Sequence, residues 1–280
     1  MNEIWRGTLR KMRVAPGDDG HPARYALADG FWNPDERVAD HPLNEHLGGE
    51  LRIDFTGTIA CTYCGRATKK TFGQGFCFPC FQARAEAYIC IVKPELCHYH
   101  EPQNPCRDDA FALAECFQPH VLYAALTSGL KVGITRRKNI PTRWLDQGAT
   151  EAVPLAELPD RATVGKIEAQ LRDELGLADK THWTRLLKNE RGEGDLEAYA
   201  DRVLAHLQDL GVEPLPGADR ALRSFRFPVL VYPEKVKSFN LDKDPTAGGH
   251  LQGIKGQYLI FETGVINLRK YTGYQVVVSG

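Results

Sequence analysis

The spacing of four cysteines constrains the fold of this chain more than any other feature of its sequence. Cys61 and Cys64 form one Cys-x-x-Cys pair, and Cys77 and Cys80 form a second pair after twelve intervening residues. Two such pairs can bring four thiolates to one tetrahedral Zn²⁺ ion and leave no position for water. A single pair would also suit a redox dithiol, but two spaced pairs favour metal. The sequence therefore predicts a structural zinc site.

A second group of cysteines follows with irregular spacing. Its members are Cys90, Cys97, Cys106 and Cys116. Cysteines at this density form disulfides in secreted proteins, but in a reducing compartment they favour metal binding. We predict that this group binds a second zinc ion or an iron–sulfur cluster, with His100 as a substitute ligand. The alternative is that some of the cysteines are buried free thiols and that the nearby histidines are surface residues.

Composition indicates a globular protein without a membrane segment. The chain has 280 residues, of which 42% are hydrophobic, so it can bury sizeable cores. Its longest apolar runs, such as 229–232 and 258–261, are of strand length, whereas a bilayer-spanning helix needs about 20 apolar residues. The first residues lack the basic and apolar regions of a secretory signal. We therefore expect a cytoplasmic protein.

The distribution of turn residues and apolar spacing predicts an α+β protein in four segments. Residues 1–60 alternate β-prone stretches with Gly, Pro and Asp turns and are predicted to form a β region. Residues 61–118 are predicted to form a cysteine-rich zinc-binding module, which metal rather than apolar burial organises. Residues 119–212 are predicted to form an α/β module. Residues 213–280 return to a β pattern, for which we predict a small barrel-like region.

The α/β module has the clearest local signals. Residues 121–126 and 130–135 flank a Thr-Ser-Gly turn and predict a β-hairpin, followed by a helix that begins near Pro141. Apolar residues at positions 164, 167, 171 and 175 predict a helix over 163–175, and a similar pattern predicts another over 196–210.

This module resembles the GIY-YIG nuclease superfamily over residues 121–190. The resemblance is carried by Val121-Leu-Tyr-Ala-Ala-Leu, by Lys131-Val-Gly-Ile-Thr, by Arg143-Trp and by a glutamate, Glu168, on the next long predicted helix. Tyr123 matches the tyrosine of the first family motif. Lys131 stands where the second tyrosine usually stands, and a lysine variant occurs in recognised branches of the superfamily.

The resemblance implies a catalytic role for each matched residue. Tyr123 would be the general base, Glu168 the ligand of a single Mg²⁺ or Mn²⁺ ion, and Arg143 the phosphate-binding cation. These roles are what phosphodiester hydrolysis requires: a base for the water, a divalent ion and a cation for the added negative charge. We expect Lys131 to face Tyr123 across the hairpin and to lower the tyrosine pKa from about 10.

The whole chain also resembles an uncharacterised bacterial family in which a zinc-binding N-terminal half precedes such a module. The shared motifs include Cys-Gly-Arg-Ala-Thr-Lys-Lys, Cys-His-Tyr-His and Gly-Ile-Lys-Gly-Gln-Tyr-Leu-Ile. This resemblance implies no activity.

Basic and aromatic residues interleave near the C-terminus. They are Lys255, Arg269 and Lys270, with Tyr258, Phe261, Tyr271 and Tyr274. Such a pattern could pair phosphate contacts with base stacking. The alternative is a set of aromatic side chains in a small β core.

Three functional hypotheses follow from the sequence. The first is a metal-dependent nuclease that acts on DNA or RNA. The second is a nucleic-acid-binding or regulatory protein that is inactive because Lys131 replaces a tyrosine. The third is an enzyme of other chemistry that uses the hairpin pocket for a small phosphorylated or amino substrate. The net charge of −1 does not distinguish them, although residues 120–150 carry an excess of basic side chains that would suit an acidic partner.

Overall fold

The computed structural model describes residues 1–18, 20–30, 38–176, 181–190 and 194–280. The chain forms two compact units, one made of residues 1–83 and 226–280 and the other of residues 84–225. We call them the split unit and the central unit. Each contains its own sheet, and the mixed α+β class is confirmed. In the part of the chain that the structure describes, no helix has the length and apolar character needed to cross a membrane.

The described strands are short, apart from two of ten residues. They are β1 Glu3–Thr8, β2 Arg13–Ala15, β3 Arg24–Leu27, β4 His41–Pro42, β5 Glu50–Ile59, β6 His120–Leu126, β7 Leu130–Arg136, β8 Glu151–Leu158, β9 Arg223–Ser224, β10 Thr246–Lys255, β11 Tyr258–Phe261, β12 Gly264–Asn267 and β13 Tyr274–Ser279.

Two of the described α-helices are longer than three turns. The helices are α1 Phe78–Ala83, α2 Asp109–Phe111, α3 Thr142–Asp146, α4 Arg161–Leu175, α5 Trp183–Leu187 and α6 Leu196–Asp209. The two long helices and the hairpin β6–β7 confirm the corresponding sequence predictions.

The split unit is built on an antiparallel sheet of six strands in the order β1-β13-β5-β10-β11-β12. Alternate residues of β13 and β5 are buried, among them Val276, Val278 and Ile53, so one apolar face forms the core. The prediction of a C-terminal barrel-like region is wrong. Strands β10 to β13 instead join β1 and β5 in this open sheet, where the buried residues of β5, β10 and β13 share one core. A smaller sheet has the order β2-β3-β4.

The central unit has a four-stranded antiparallel sheet in the order β7-β6-β8-β9. Strand β6 is buried along its whole length, so its side chains alternate between two apolar environments. Leu122 and Ala124 belong to the core formed with α4 and α6. Tyr123 and Ala125 face the other way, toward Trp144 of α3.

Helix α4 has well-defined ends. The side chain of Asp160 accepts hydrogen bonds from the backbone and side chain of Thr163, at 2.8 and 2.7 Å, and so caps the first turn. Gly176, with φ of 62°, ends the helix in the left-handed conformation. Near the middle of α4, Gly165 lies against Pro94, and a Cβ at position 165 would lie 2.4 Å from the Cβ of Pro94. The cysteine-rich stretch before β6 is therefore packed tightly on this helix.

Candidate metal centre and candidate active site

Four cysteines of the split unit form a compact cluster of sulfur atoms. The ligand atoms of Cys61, Cys64, Cys77 and Cys80 all lie within 4.8 Å of one another. The Sγ atoms of Cys64 and Cys77 are 3.8 Å apart. Two thiolates on a tetrahedral zinc ion, with a Zn–S bond of about 2.3 Å, are separated by about 3.8 Å. The four cysteines thus lie close enough to bind a metal ion such as zinc.

Two tight turns bring the cysteines together. In the first, the amide of Gly65 donates to the carbonyl of Cys61, and the amide of Cys61 donates to the carbonyl of Arg66, both at 2.9 Å. Gly65 has φ of 69°, a conformation that glycine adopts without steric strain. In the second turn, Phe72 and Phe76 pair across a short bridge immediately before Cys77. Helix α1 then begins and carries the fourth cysteine.

The surroundings of Cys61 favour the thiolate form. Burial raises its pKa, but backbone hydrogen bonds from Cys64, Cys77 and Tyr63 outweigh that effect and lower the pKa to about 7. The thiol of Cys80 is affected in the opposite direction: burial and the neighbouring sulfur atoms raise its pKa. A divalent cation among the four sulfurs would remove this repulsion, because metal binding stabilises every thiolate that contacts the ion.

The second group of cysteines lines one cavity of the central unit. Cys90, Cys97, Cys106 and Cys116 all contribute to its wall. In the part of the chain that the structure describes, the group at residues 61–80 is the one set of three or more His, Cys, Asp or Glu side chains placed so that they could hold a metal ion. The second group does not form such a set. Of the two nearby histidines, the buried His98 lines the cavity, whereas His100, the predicted substitute ligand, is exposed.

The thiols of this cavity interact with one another and with a nearby cation. Burial raises the pKa of Cys116 to about 11; Arg161 opposes this effect, and the other three cysteines add to it. Arg161 itself lies on the first turn of α4 and donates a hydrogen bond of 2.6 Å to the carbonyl of Ile91, next to Cys90.

Tyr123 is the centre of a second cluster in the central unit. Its side chain is fully buried and makes an edge contact with Trp144, with ring centroids 5.8 Å apart. The side-chain amide of Gln147 donates a hydrogen bond of 2.9 Å to its hydroxyl oxygen. Burial raises the tyrosine pKa above its ordinary value of 10.0, while the charge of Arg143 and the hydrogen bond from Gln147 act to lower it.

The residue directly opposite Tyr123 on β7 is Gly133. A Cβ built at position 133 would lie 2.6 Å from the tyrosine hydroxyl oxygen and 2.7 Å from Cζ. The tyrosine ring therefore lies across the glycine, which explains why this strand position has no side chain.

Glu168 is the carboxylate of this cluster. Burial raises its pKa, and four cations act in the opposite direction. In order of effect they are Lys131, Arg172, Arg143 and Arg161. Glu168 also acts on the pKa of Tyr123, so its charge lies near the phenol rather than out in solvent. Four cations that act on one carboxylate make this a site that suits an anionic ligand.

The structure thus brings Tyr123, Lys131, Arg143 and Glu168 together, but Lys131 does not occupy the predicted place. It pairs with Ala125, so it is on the same face as Tyr123 but diagonal to it, at a separation of about 7 Å rather than directly opposite. Among the cations that lower the pKa of Glu168 it has the largest effect, and it is 7% exposed. The cation that acts to lower the pKa of Tyr123 is Arg143 rather than the expected Lys131.

Two residues of this cluster were missed in the sequence. Gln147 lies one helical turn after Arg143, at a spacing that places both on the same side of α3 and its extension. Arg161 lies close enough to Glu168 and to the second cysteine group to act on both. The four-residue spacing from Arg143 is a weak sequence signal for Gln147. No sequence signal marks Arg161, because its place in the cluster depends on how residues 84–118 pack against α4.

The aromatic residues near the C-terminus belong to the core of the split unit. Phe261, Tyr271 and Tyr274 are 2%, 1% and 8% exposed, so they have no free face on which bases could stack. Lys255 is 1% exposed, and its Nζ lies 5.5 Å from the ring centroid of Phe227. Burial lowers the pKa of this lysine to about 8. The structure therefore favours the β-core alternative.

Together, the fold and the two clusters define a mixed α+β protein with four cysteines close enough to bind a metal ion and a separate cluster of tyrosine, arginine and glutamate. The chain belongs to the family described as protein of unknown function (DUF2797), whose model matches residues 48–276. This confirms membership of an uncharacterised family. No curated protein and no solved structure matches the chain.

Proposed function

We propose that the central unit contains a GIY-YIG-like module that hydrolyses phosphodiester bonds in DNA or RNA with Mg²⁺ or Mn²⁺. The observation that carries this proposal is the convergence of Tyr123, Arg143 and Glu168 on one buried cluster. These residues come from a strand, a short helix and a long helix, in the order that the resemblance implies. An unrelated set of surface residues has no reason to meet in this way.

The electrostatics of the cluster support a phosphate substrate. Glu168 offers carboxylate oxygens, which are the ligands that Mg²⁺ prefers. Arg143 can donate two parallel hydrogen bonds to phosphate oxygens, and Lys131 adds a positive charge on the same face of the sheet. The positive charges of Arg143 and Lys131 would stabilise the additional negative charge that develops on the transferred phosphoryl group.

Tyr123 is the proposed acceptor of the water proton. The water oxygen forms a bond to phosphorus, the ester oxygen leaves, and the proton of the water passes to the phenolate of Tyr123. Solvent supplies a proton to the leaving oxygen. Because burial raises the tyrosine pKa, only a small fraction is phenolate at neutral pH. We therefore expect hydrolysis to be faster at alkaline pH.

The four-cysteine site of the split unit is proposed to hold a structural zinc ion. All four ligands come from the protein, so the ion would stabilise the turns at residues 61–80 rather than activate water. The six-stranded sheet of the split unit has an apolar core of its own. The ion would hold the turns at residues 61–80, which follow β5, in a fixed conformation.

A second candidate function is nucleic-acid binding without cleavage. It is favoured by the complete burial of Tyr123, because a base must reach the attacking water. It is also favoured by Lys131, whose charge acts on the carboxylate proposed to bind the metal.

One experiment separates the two functions. The full-length protein is incubated with labelled DNA and RNA, in Mg²⁺, in Mn²⁺ or in EDTA, and both cleavage and binding are measured. Glu168→Gln should abolish cleavage without lowering the melting temperature. Glu174→Gln is the matched control, because it makes the same change at an exposed position of the same helix. Binding without cleavage under every condition would support the second function, and neither binding nor cleavage would refute both.

A further inference from the structure

The cysteine-rich stretch at residues 84–118 folds without much apolar burial. It consists of short helical turns and loops, and several of its large apolar side chains are exposed. Those exposed by 49% or more are Ile89, Val92, Leu96 and Leu113. Hydrophobic burial therefore gives this stretch little stability, and another interaction must hold its turns together.

The four cysteines of the stretch come from different turns. Cys90 lies in the 3₁₀ turn Ile89–Ile91, and Cys97 directly follows the turn Pro94–Leu96. Cys106 lies in a loop, and Cys116 is the last residue of a π-helical segment, Ala112–Cys116. Such π-helical turns are rare and often occur at functional sites. All four side chains nevertheless line the same cavity.

The spacing of these sulfur atoms distinguishes between possible occupants. At residues 61–80, all sulfurs lie within 4.8 Å of one another, whereas no three of the second group form a set that could hold a single metal ion. A single tetrahedral ion needs thiolates about 3.8 Å apart. The four thiolates around a cubane of iron and sulfide are about 6 to 7 Å apart. Four cysteines that line one cavity without forming a single-ion set fit the larger group.

The wall of the cavity also suits a cubane cluster. Tyr88, Phe111 and Phe117 contribute aromatic surface that would limit the access of water. The side chain of Arg107 lies in the wall, 4.4 Å above the ring of Tyr88, and Arg161 lies close enough to act on two of the cysteines. These cations would offset the net negative charge of a cluster with four thiolate ligands.

We propose that Cys90, Cys97, Cys106 and Cys116 together bind a cubane iron–sulfur cluster. Each thiol loses its proton to solvent and forms one bond to iron, so the cluster links the four turns. It is chemically distinct from the zinc-type site of the split unit, and the proposal does not depend on nuclease activity. Because Pro94 packs on Gly165, the cluster would also hold this stretch against α4.

The test is the metal content of the full-length protein purified without oxygen. We expect about four iron atoms, about four acid-labile sulfide ions and one zinc ion per chain, with broad absorption near 400 nm. Chemical reduction should produce an electron paramagnetic resonance signal. Cys97→Ser and Cys116→Ser should each lose iron and sulfide while retaining zinc, whereas Cys64→Ser should lose zinc and retain iron.

Two results would overturn the proposal. One is two zinc ions per chain without iron or sulfide, which would make the second group another zinc site. The other is four free or disulfide-bonded cysteines that take up no cluster when the wild-type protein is incubated with iron and sulfide under reducing conditions. Both measurements use the wild-type protein, so a variant that fails to fold does not affect them.

Discussion

A methyl group added at position 133 should destabilise the central unit through Tyr123. In Gly133→Ala, the new Cβ would lie 2.6 Å from the tyrosine hydroxyl oxygen. The ring has little freedom to move away, because it is fully buried, contacts Trp144 and accepts a hydrogen bond from Gln147. Overpacking of this kind typically costs about 2 kcal/mol. For a unit of this size, that corresponds to a fall in Tm of about 6 °C.

Gly129→Ala is the matched control for this substitution. It lies in the turn of the same hairpin, and no atom is within 4 Å of a Cβ built there. This alanine should leave Tm unchanged or raise it slightly, because it reduces the conformational entropy of the unfolded chain. Differential scanning calorimetry of both variants gives the comparison.

A double-mutant cycle isolates the clash from other effects. In a Tyr123→Ala background, Gly133→Ala should no longer destabilise the protein, since the atoms that it strikes are gone. Equal melting temperatures for Gly133→Ala and Gly129→Ala would refute the packing argument. A penalty that persists without the tyrosine ring would show that the methyl group acts elsewhere.

Three further predictions concern the metal centre and the proposed active site. Cys64→Ser should remove one equivalent of zinc and lower the Tm of the split unit. Because Cys64 is exposed, its side chain contributes little to packing, so a loss of Tm would come from the loss of metal. Unchanged zinc content and Tm would contradict the metal assignment. If Tyr123 accepts the water proton, the cleavage rate should rise about tenfold per pH unit through the neutral range, since burial raises the tyrosine pKa above 10.0 and the phenolate is scarce. Tyr123→Phe should abolish this dependence of the rate on pH. Identical pH profiles in both proteins would exclude Tyr123 as the proton acceptor. Lys131→Met should raise the pKa of Glu168, so the loss of activity at low pH should begin at a higher pH. The same variant should reduce the slope of log affinity for nucleic acid against log salt concentration by about one unit. If neither the pH profile nor the salt dependence changes, Lys131 does not belong to the site.

The sequence predicted those features that depend on local spacing. The zinc-type cluster is specified by two Cys-x-x-Cys pairs and a turn glycine, all within twenty residues of one another. The hairpin β6–β7 and helices α4 and α6 follow from turn residues and apolar periodicity. These features can be predicted from sequence because the residues that interact in them are close together in the chain.

Features that depend on distant pairing were not predicted. The C-terminal strands read as a separate β region, but β13 pairs with β1 and β5, more than 200 residues earlier in the chain. The register of the hairpin was not predicted either. The sequence analysis placed Lys131 opposite Tyr123, whereas the residue opposite Tyr123 is Gly133, two positions further along β7. The role of Arg161 depends on the packing of a stretch without periodicity, for which sequence patterns offer no guide.

The position of β13 between β1 and β5 has a consequence for synthesis on the ribosome. Strand β5 also pairs with β10, so both of its neighbours are translated after residues 84–225. While the nascent chain grows, β1 and β5 carry unpaired backbone edges, which are prone to associate with other chains. The central unit is continuous in sequence and can fold during this interval. The first strands to be made are therefore among the last to find their partners, and this part of the chain is where we expect nascent protein to need protection by chaperones.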